Sequence, residues 1–592
     1  MWQRLNAVQR WAVVVALGAL ALAAIDVWWF VTYRHGFPLD VDEAGYTTIG
    51  LIDYLGLKGG GLHGWWEAIQ TQTPNAPLAP ALASLVAMVK PGVLDGFAVL
   101  TGFVVVLTFA IYGIGTRLAG PRLGALAALV TAAAPGTFVF AREYIFALPA
   151  AAMLACAVFA LLQSDGLRRR RWAIACGAAL GLMLLARTMT VAFVPGVIAA
   201  AALVAILRQN GWNDLLRRAL NLGLLVLAGA AVAALWYWRN LQPVIDYLTS
   251  YGYGEQSRFY GAEHSAVSWA RFQSIAQRMM FDDLLVPLAM LIFIGLVAIA
   301  AVAVKRLVQS ESRWSELTKL AGTDTFAVFV VFAAGYAALM TSQNGGDGFT
   351  YPLAILLPPL AVVALRLFRL AVAPVVALLG AIAALNLLAS SNLSDDLSKP
   401  RLVEVPGFGQ QPWVNGIPHA VGAIRVQVPG SESHFDDSEE GWTQIDKRLA
   451  HLALRSAGPE GQLPLVAFAS RNRVISTNSV GLAAVLTAHK TIPFSQLAAE
   501  PSDSVATYSR ALGPAGGLPS LLFTMSSNVE DFPIPVTQSY VEQAAKKQGF
   551  RKIRTIEMPD GRLLYAWRRE TPKSPPASPA SSAAPAPDSH RG

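Results

Sequence analysis

Cysteine is nearly absent from this chain, and charge is scarce over most of it. Its 592 residues include two cysteines, Cys156 and Cys176, both within apolar segments. Two such cysteines give no disulfide framework and read as small packing residues. Neither a metal-ligand spacing nor a glycine-rich phosphate loop is present, so zinc-site and nucleotide-binding signatures are missing. Only 14% of the residues are charged, against 54% apolar, and the mean hydropathy is +0.45. That balance excludes an ordinary soluble protein. The net charge of +8 gives no reason to invoke nucleic acid, because the basic residues sit in short loops beside apolar runs. No small-residue cleavage signature follows the first run, which therefore reads as an uncleaved helix rather than a signal peptide.

What the chain does have is a succession of apolar runs. Residues 11–30, 96–116, 123–141, 219–238, 284–304 and 372–390 are each long enough to cross about 30 Å of hydrocarbon as a helix. Basic loops orient them: Arg4 and Arg10, Arg117 and Arg122, Arg168-Arg169-Arg170-Arg171, Arg208 with Arg217 and Arg218, Lys305 with Arg306, and Arg366 with Arg369 mark the cytoplasmic side. Adding runs 147–163, 172–186, 191–207, 326–341 and 350–365 gives about eleven spans, within a range of about 10 to 13. The segment 77–90 is short for a span and reads as interfacial or re-entrant. The expected fold class is thus a polytopic α-helical membrane protein over 1–390, with a first outer loop at 32–95. Residues 391–570 read as an exported soluble α/β domain. There the helical periodicity falls at 441–456 and 540–548, and the strand patterns at 464–470, 520–524, 551–557 and 562–568. Met558-Pro559-Asp560-Gly561 is a hairpin turn signal. The tail 571–592 is Pro, Ser and Ala and should be disordered. The organisation implies a cytoplasmic N-terminus and a C-terminal domain outside.

Orientation was set by the inner loops alone, yet Asp40, Asp42, Glu43, Arg142, Glu143, Arg187, the loop 239–283 and Asp347 all fall on the outer side. Carboxylates beside a bilayer are retained more for chemistry or transport than for stability. Asp40 with Glu43 three residues on resembles a capping box, which leaves Asp42 for chemistry, near the positive end of a helix and one turn before Tyr46. Such a carboxylate can act as general base on an incoming hydroxyl or amine. Arg142 and Arg187 each close an outward helix, where a guanidinium fork suits phosphate oxygens; the bland readings are an interfacial anchor for Arg142 and Glu143, and an acid partner for Arg187. In the loop 239–283, Trp236 and Trp238 read as an interfacial belt and His264 as a surface residue, while Tyr251, Tyr253, Arg258 and Arg271 are harder to explain as anchors. Asp347 reads as a turn residue, and Tyr351-Pro352 as a helix start.

In their order, these motifs resemble the GT-C membrane glycosyltransferases, in particular the branch similar to bacterial protein O-mannosyltransferases and lipid A aminoarabinose transferases. The resemblance runs over roughly residues 1–370. It is carried by Asp42-Glu43-Ala44-Gly45-Tyr46, Asn75-Ala76-Pro77-Leu78, Gly115-Thr116-Arg117-Leu118-Ala119-Gly120, Ala141-Arg142-Glu143 with Leu148-Pro149, Leu185-Ala186-Arg187, Trp236 with Asn240, and Tyr351-Pro352. It implies an inverting transfer of a sugar from a polyprenyl-phosphate donor to a lipid, glycan or protein acceptor at the outer face of a bacterial inner membrane. Asp42 would then be the base, with Glu43 as its neighbour, and Arg142, Glu143, Arg187, Arg258, Tyr46 and Tyr351 would line the donor site. No cofactor is required; a divalent cation is compatible with the chemistry, but nothing in the sequence demands one. The chain departs from the resemblance where Asn75-Ala76-Pro77-Leu78 replaces His-Pro-Pro-Leu, where Ala147 replaces an Asp, and where Arg187 replaces a Lys. The rival readings are a transporter or lipid flippase, disfavoured by the lack of an internal repeat, and an inactive scaffold with an exported binding domain.

Overall fold

The computed structural model describes residues 6–33, 38–71, 73–254, 256–257, 265–346, 348–367, 372–390, 401–414, 435–457, 462–471, 474–499, 502–527 and 535–570. Arg258, His264, Asp347 and the tail 571–592 lie outside them. The chain divides into two compact units, the first holding residues 1–451, 472–491 and 530–533, the second 452–471, 492–529 and 534–592.

The first unit is helical: α1 (Ala7–Tyr33), α2 (Val41–Ile69), α3 (Leu78–Val86), α4 (Asp95–Ala119), α5 (Pro121–Ala132), α6 (Pro135–Arg142), α7 (Ala147–Gln163) and α8 (Arg170–Ala186) come first. After a short 3-10 turn follow α9 (Val194–Leu207), α10 (Trp212–Tyr247), α11 (Trp269–Gln277), α12 (Val286–Gln309), α13 (Arg313–Ala321), α14 (Asp324–Met340), α15 (Tyr351–Ala354), α16 (Leu357–Leu367) and α17 (Val372–Ser390). Every apolar run read from the sequence falls on one of these helices or helix pairs. By length and composition, five helices among the described residues can cross a membrane. The count rises to seven if the pairs α5–α6, bent by 52°, and α13–α14, bent by 75°, are each one span. Four expected spans fall outside that count: α7 and α8, at 17 residues each, the stretch Tyr351–Leu367 and the apolar part of α17, all short of the roughly 20 residues that a span needs. The protein is a polytopic α-helical membrane protein.

The two long loops expected on the outer side both hold helices among their described residues. The first holds α2 and α3. The backbone of α2 turns at Gly61, where φ is +60° and ψ is −150°; L side chains rarely adopt that conformation, which favours glycine. The second begins as a continuation of α10, which runs on to Tyr247 through Pro243, and it also contains α11.

Beyond α17 lie a two-stranded hairpin, β1 (Arg401–Val405) with β2 (Gly409–Val414), and helix α18 (Phe435–Arg455). Helix α19 (Thr477–Ala488) belongs with the first unit and starts in a capping box made by Ser476 and Ser479. The second unit contains β3 (Val466–Phe468), β4 (Phe494–Gln496), α20 (Val505–Leu512), β5 (Leu521–Met525), α21 (Gln538–Lys547), β6 (Phe550–Glu557) and β7 (Leu563–Arg569). Its sheet runs β4-β3-β5-β7-β6, parallel across the first three strands and antiparallel across the rest. Tyr508, Leu512, Val541, Ala544, Ala545, Leu522 and Trp567 form one core under α20 and α21. The expected hairpin turn is present: Met558 N–H donates to Arg562 O at 2.8 Å.

Candidate active site at the start of helix α2

The acidic motif opens α2. Asp40 is the N-cap, its carboxylate accepting from Asp42 N–H, while Glu43 Oε2 accepts from Asp40 N–H at 3.0 Å. The capping box is therefore real. Glu43 also does something that the sequence did not reveal: its Oε1 accepts from Tyr144 N–H at 2.9 Å. Buried at 1% exposure, Glu43 ties the start of α2 to the turn that follows α6. Asp42, next to it, faces outward and is exposed.

One turn on, Tyr46 packs its ring at 4.0 Å on Phe146 and edge-on to Tyr144. Burial raises the Tyr46 phenol well above its ordinary value; the charges of Asp42 and Tyr247 push the same way, and Arg187 opposes them. Asp42, Tyr46, Arg187 and Tyr247 are thus close enough for each charge to bear on one phenol. Tyr247 comes from the extension of α10 and stacks on Tyr251 at 5.8 Å. It escaped the sequence reading because the apolar run ends at residue 238, well before the helix does.

Arg187 follows α8, where the backbone turns extended. Half-buried, it lays its guanidinium 4.1 Å over the Phe349 ring and lines a small cavity with Thr190, Phe193, Asn344 and Phe349. The loop supplying Phe349 is held by Arg271, which donates to Asn344 O at 2.8 Å, and by Arg278, which donates to Gly345 O.

The other predicted residues go elsewhere. Arg142 is buried, its Nε donating to Asp26 Oδ1 at 3.1 Å, with Trp29 and Phe138 against its guanidinium. Asp26 lies inside the first apolar run, and an acid at that depth is itself the signal that could have found it. Glu143 is half-buried in the turn between Arg142 and Tyr144. Tyr351 is in a different cluster: its hydroxyl is 2.8 Å from Thr137 Oγ1, its ring packs on Phe140, and the nearby Asp283 accepts from Thr350. Burial raises the Asp283 carboxyl well above the usual range. Trp236, expected in an interfacial belt, is instead buried and donates to Ile69 O at 3.1 Å; Asn240 Oδ1 accepts from Thr73 N–H. The pair clamps the end of α2, since a buried indole N–H must find an acceptor. Trp238, at 67% exposure, stays outside.

Two further features border the motif. From α19, Asn478 donates to Val41 O at 2.8 Å, beside Asp42. Its amide fills the space that a side chain at position 45 would need: a Cβ on Gly45 would lie 2.8 Å from Asn478 Nδ2. Three turns along α2, Asp53 is buried, and neither of its carboxylate oxygens has a hydrogen-bond partner among the described residues. Burial pushes its carboxyl up to about 8. Its neighbour Tyr144, also raised chiefly by burial, feels the charges of Asp53, Asp95 and Tyr46.

Among the described residues, no group of three or more His, Cys, Asp or Glu side chains is placed to hold a metal ion. No protein-family model and no curated protein matches the chain. Among solved structures it is similar to ArnT from Cupriavidus metallidurans bound to undecaprenyl phosphate, at 15% identity over 94% of this chain and 98% of that one, TM-score 0.49. It is also similar to the oligosaccharyltransferase AglB from Archaeoglobus fulgidus, in complex with an inhibitory peptide and a dolichol-phosphate, at 12% identity over 95% and 75%, TM-score 0.48. The Archaeoglobus enzyme is also seen in complex with Zn and sulfate, TM-score 0.45. A third similarity is to the arabinofuranosyltransferase AftD from Mycobacteria, at 13% identity over 93% of this chain and 39% of that one, TM-score 0.47.

Proposed function

We propose that this protein is a glycosyltransferase that moves a sugar from a polyprenyl-phosphate donor to a cell-envelope acceptor at the outer membrane face. The observation that carries this reading is the division of labour within one acidic motif. Asp40 and Glu43 are occupied in building the start of α2, while Asp42 is presented outward there with Tyr46, Tyr247 and Arg187 nearby.

In the reaction we infer, the acceptor O–H or N–H gives its proton to Asp42. The freed electron pair forms the new bond to the anomeric carbon, with inversion. The bond from that carbon to the donor phosphate breaks, and its electrons leave on the polyprenyl phosphate. Arg187 binds the phosphate oxygens as charge builds on them, where a positioned cation acts most strongly. Arg142, already paired with Asp26, serves by holding the turn that Glu43 grips. The polar end of the reaction is thus framed by soluble-side loops, and the polyprenyl tail stays in lipid.

The test is release of free polyprenyl phosphate from a panel of lipid-linked sugars by purified wild type and Asp42→Asn, with envelope extract as acceptor and with or without EDTA. A fall of about 100-fold or more in the variant, at normal protein yield, is the expected loss of a general base. Donor left intact by the wild type would overturn the reading, and counterflow of labelled lipid-linked sugar in proteoliposomes would then test transport.

A further inference from the structure

The outermost strand of the second unit carries an arrangement that the catalytic reading does not use. In the antiparallel ladder Arg551 stands opposite Arg568, and Lys552 stands opposite Trp567; the register then shifts, and Arg554 stands opposite Ala566. The residue passed over is Ile553. Side chains alternate along a strand, so Arg551 and Arg568 share one face and a regular strand would put Arg554 on the other. The bulge returns Arg554 to the face of Arg551 and Arg568, as bulges do when they re-aim a side chain. All three arginines are exposed.

This grouping is unfavourable by itself. Like charges directly opposite each other in a ladder repel, and the acid nearby, Glu570, reaches Arg551 at 3.9 Å, with both side chains largely in solvent. Arg568 also donates to Ser456 Oγ at 2.8 Å. Charge on an edge strand does deter strand-to-strand aggregation. That purpose needs neither a register shift nor three cations on one face. Between Lys552 and Arg554, Ile553 is left 41% exposed, and Lys546 and Lys547 add exposed charge at the end of α21.

We propose that this face of the β6–β7 edge docks on anionic lipid headgroups, with Arg551, Arg554 and Arg568 on their phosphates and Ile553 in the interfacial layer. Cations beside an exposed apolar residue are the pattern of interfacial binding to anionic bilayers. A chain with several membrane spans also holds its extramembranous part at high effective concentration over such a surface. The inference is independent of the catalytic reading.

The experiment uses the full chain in nanodiscs, with an environment-sensitive dye at Ile553→Cys in a Cys156→Ala/Cys176→Ala background. Discs of phosphatidylcholine are compared with discs containing about one third phosphatidylglycerol, each with headgroup-spin-labelled lipid as quencher. Quenching should be about twofold or more greater in the anionic discs and should vanish near 0.5 M salt, where charges are screened within a few ångströms. The Arg551→Gln/Arg554→Gln/Arg568→Gln variant relieves the cross-strand repulsion, so it should fold at least as well and lose the difference between discs. Equal quenching in both discs, a difference that survives in the Gln variant, or a dye response to soluble dextran sulfate but not to anionic discs would each overturn the proposal.

Discussion

Arg142 and Arg187 looked equivalent as sequence: each closes an outward helix, and each suits a phosphate. The fold separates them. Arg142 is buried against Asp26, Trp29 and Phe138, so its charge is largely spent inside the protein. Arg187 is half-buried, rests on Phe349 and bears on Tyr46 together with Asp42. What distinguishes them is not their own position but what the rest of the chain brings to each. A guanidinium matched by a buried carboxylate is a fixture of the fold; one that rests on the Phe349 ring and lines a cavity is the one proposed above to meet an anion.

Several measurements sharpen or break this contrast. The largest effect is expected from Arg142→Ala, which leaves Asp26 buried without its cation at a cost of about 3–5 kcal/mol. Yield and thermal stability in detergent should collapse, and Asp26→Leu/Arg142→Met should restore them, since apolar replacement of a buried pair is often neutral. If Arg142→Ala instead folds normally and loses only donor affinity, the two arginines are alike after all. Arg187→Ala should fold normally yet lower kcat/KM for the donor by about 10- to 100-fold, the loss of a charge-assisted hydrogen bond worth about 1.5–3 kcal/mol. Glu43→Gln should cost about 1–2 kcal/mol of stability, because one of its two backbone N–H partners would then face an amide NH₂. It should lower kcat with little change in KM, through Asp42's position.

The last effect concerns pH. Asp53 ionises at about 8 in the fold, against about 3.9 in an unfolded chain. The folded state therefore holds a proton that the unfolded state releases across that interval. The stability it contributes is fully present below about pH 4 and is lost as pH rises through 8. Asp53→Asn should therefore flatten the decline of melting temperature between about pH 4 and 8, raising it more at the alkaline end. An equal change at both ends would show that Asp53 ionises normally.

Much of this was readable in advance. Apolar runs marked the helices, the capping box separated Asp40 and Glu43 from Asp42, and Met558-Pro559-Asp560-Gly561 announced the β6–β7 hairpin. What stayed hidden was long-range. Asp26 sat in an otherwise apolar run, and nothing local linked it to Arg142, 116 residues away. The second grip of Glu43, on Tyr144, spans 101 residues. Tyr247 was lost because hydropathy marks where a run leaves the bilayer, not where its helix stops. Trp236 misled for a related reason: an aromatic at the end of a span can face lipid or clamp a neighbouring segment, and only its indole hydrogen bond decides.

The bond from Asn478 to Val41, across 437 residues, has a consequence for how the protein is made. The rim of the proposed Asp42 site is completed by a helix synthesised long after the spans have emerged. A chain still being inserted therefore carries its acidic motif without Asn478 over it. Maturation of the site is tied to arrival of the distal third of the polypeptide, so truncated or stalled products would reach the membrane with the motif unfinished.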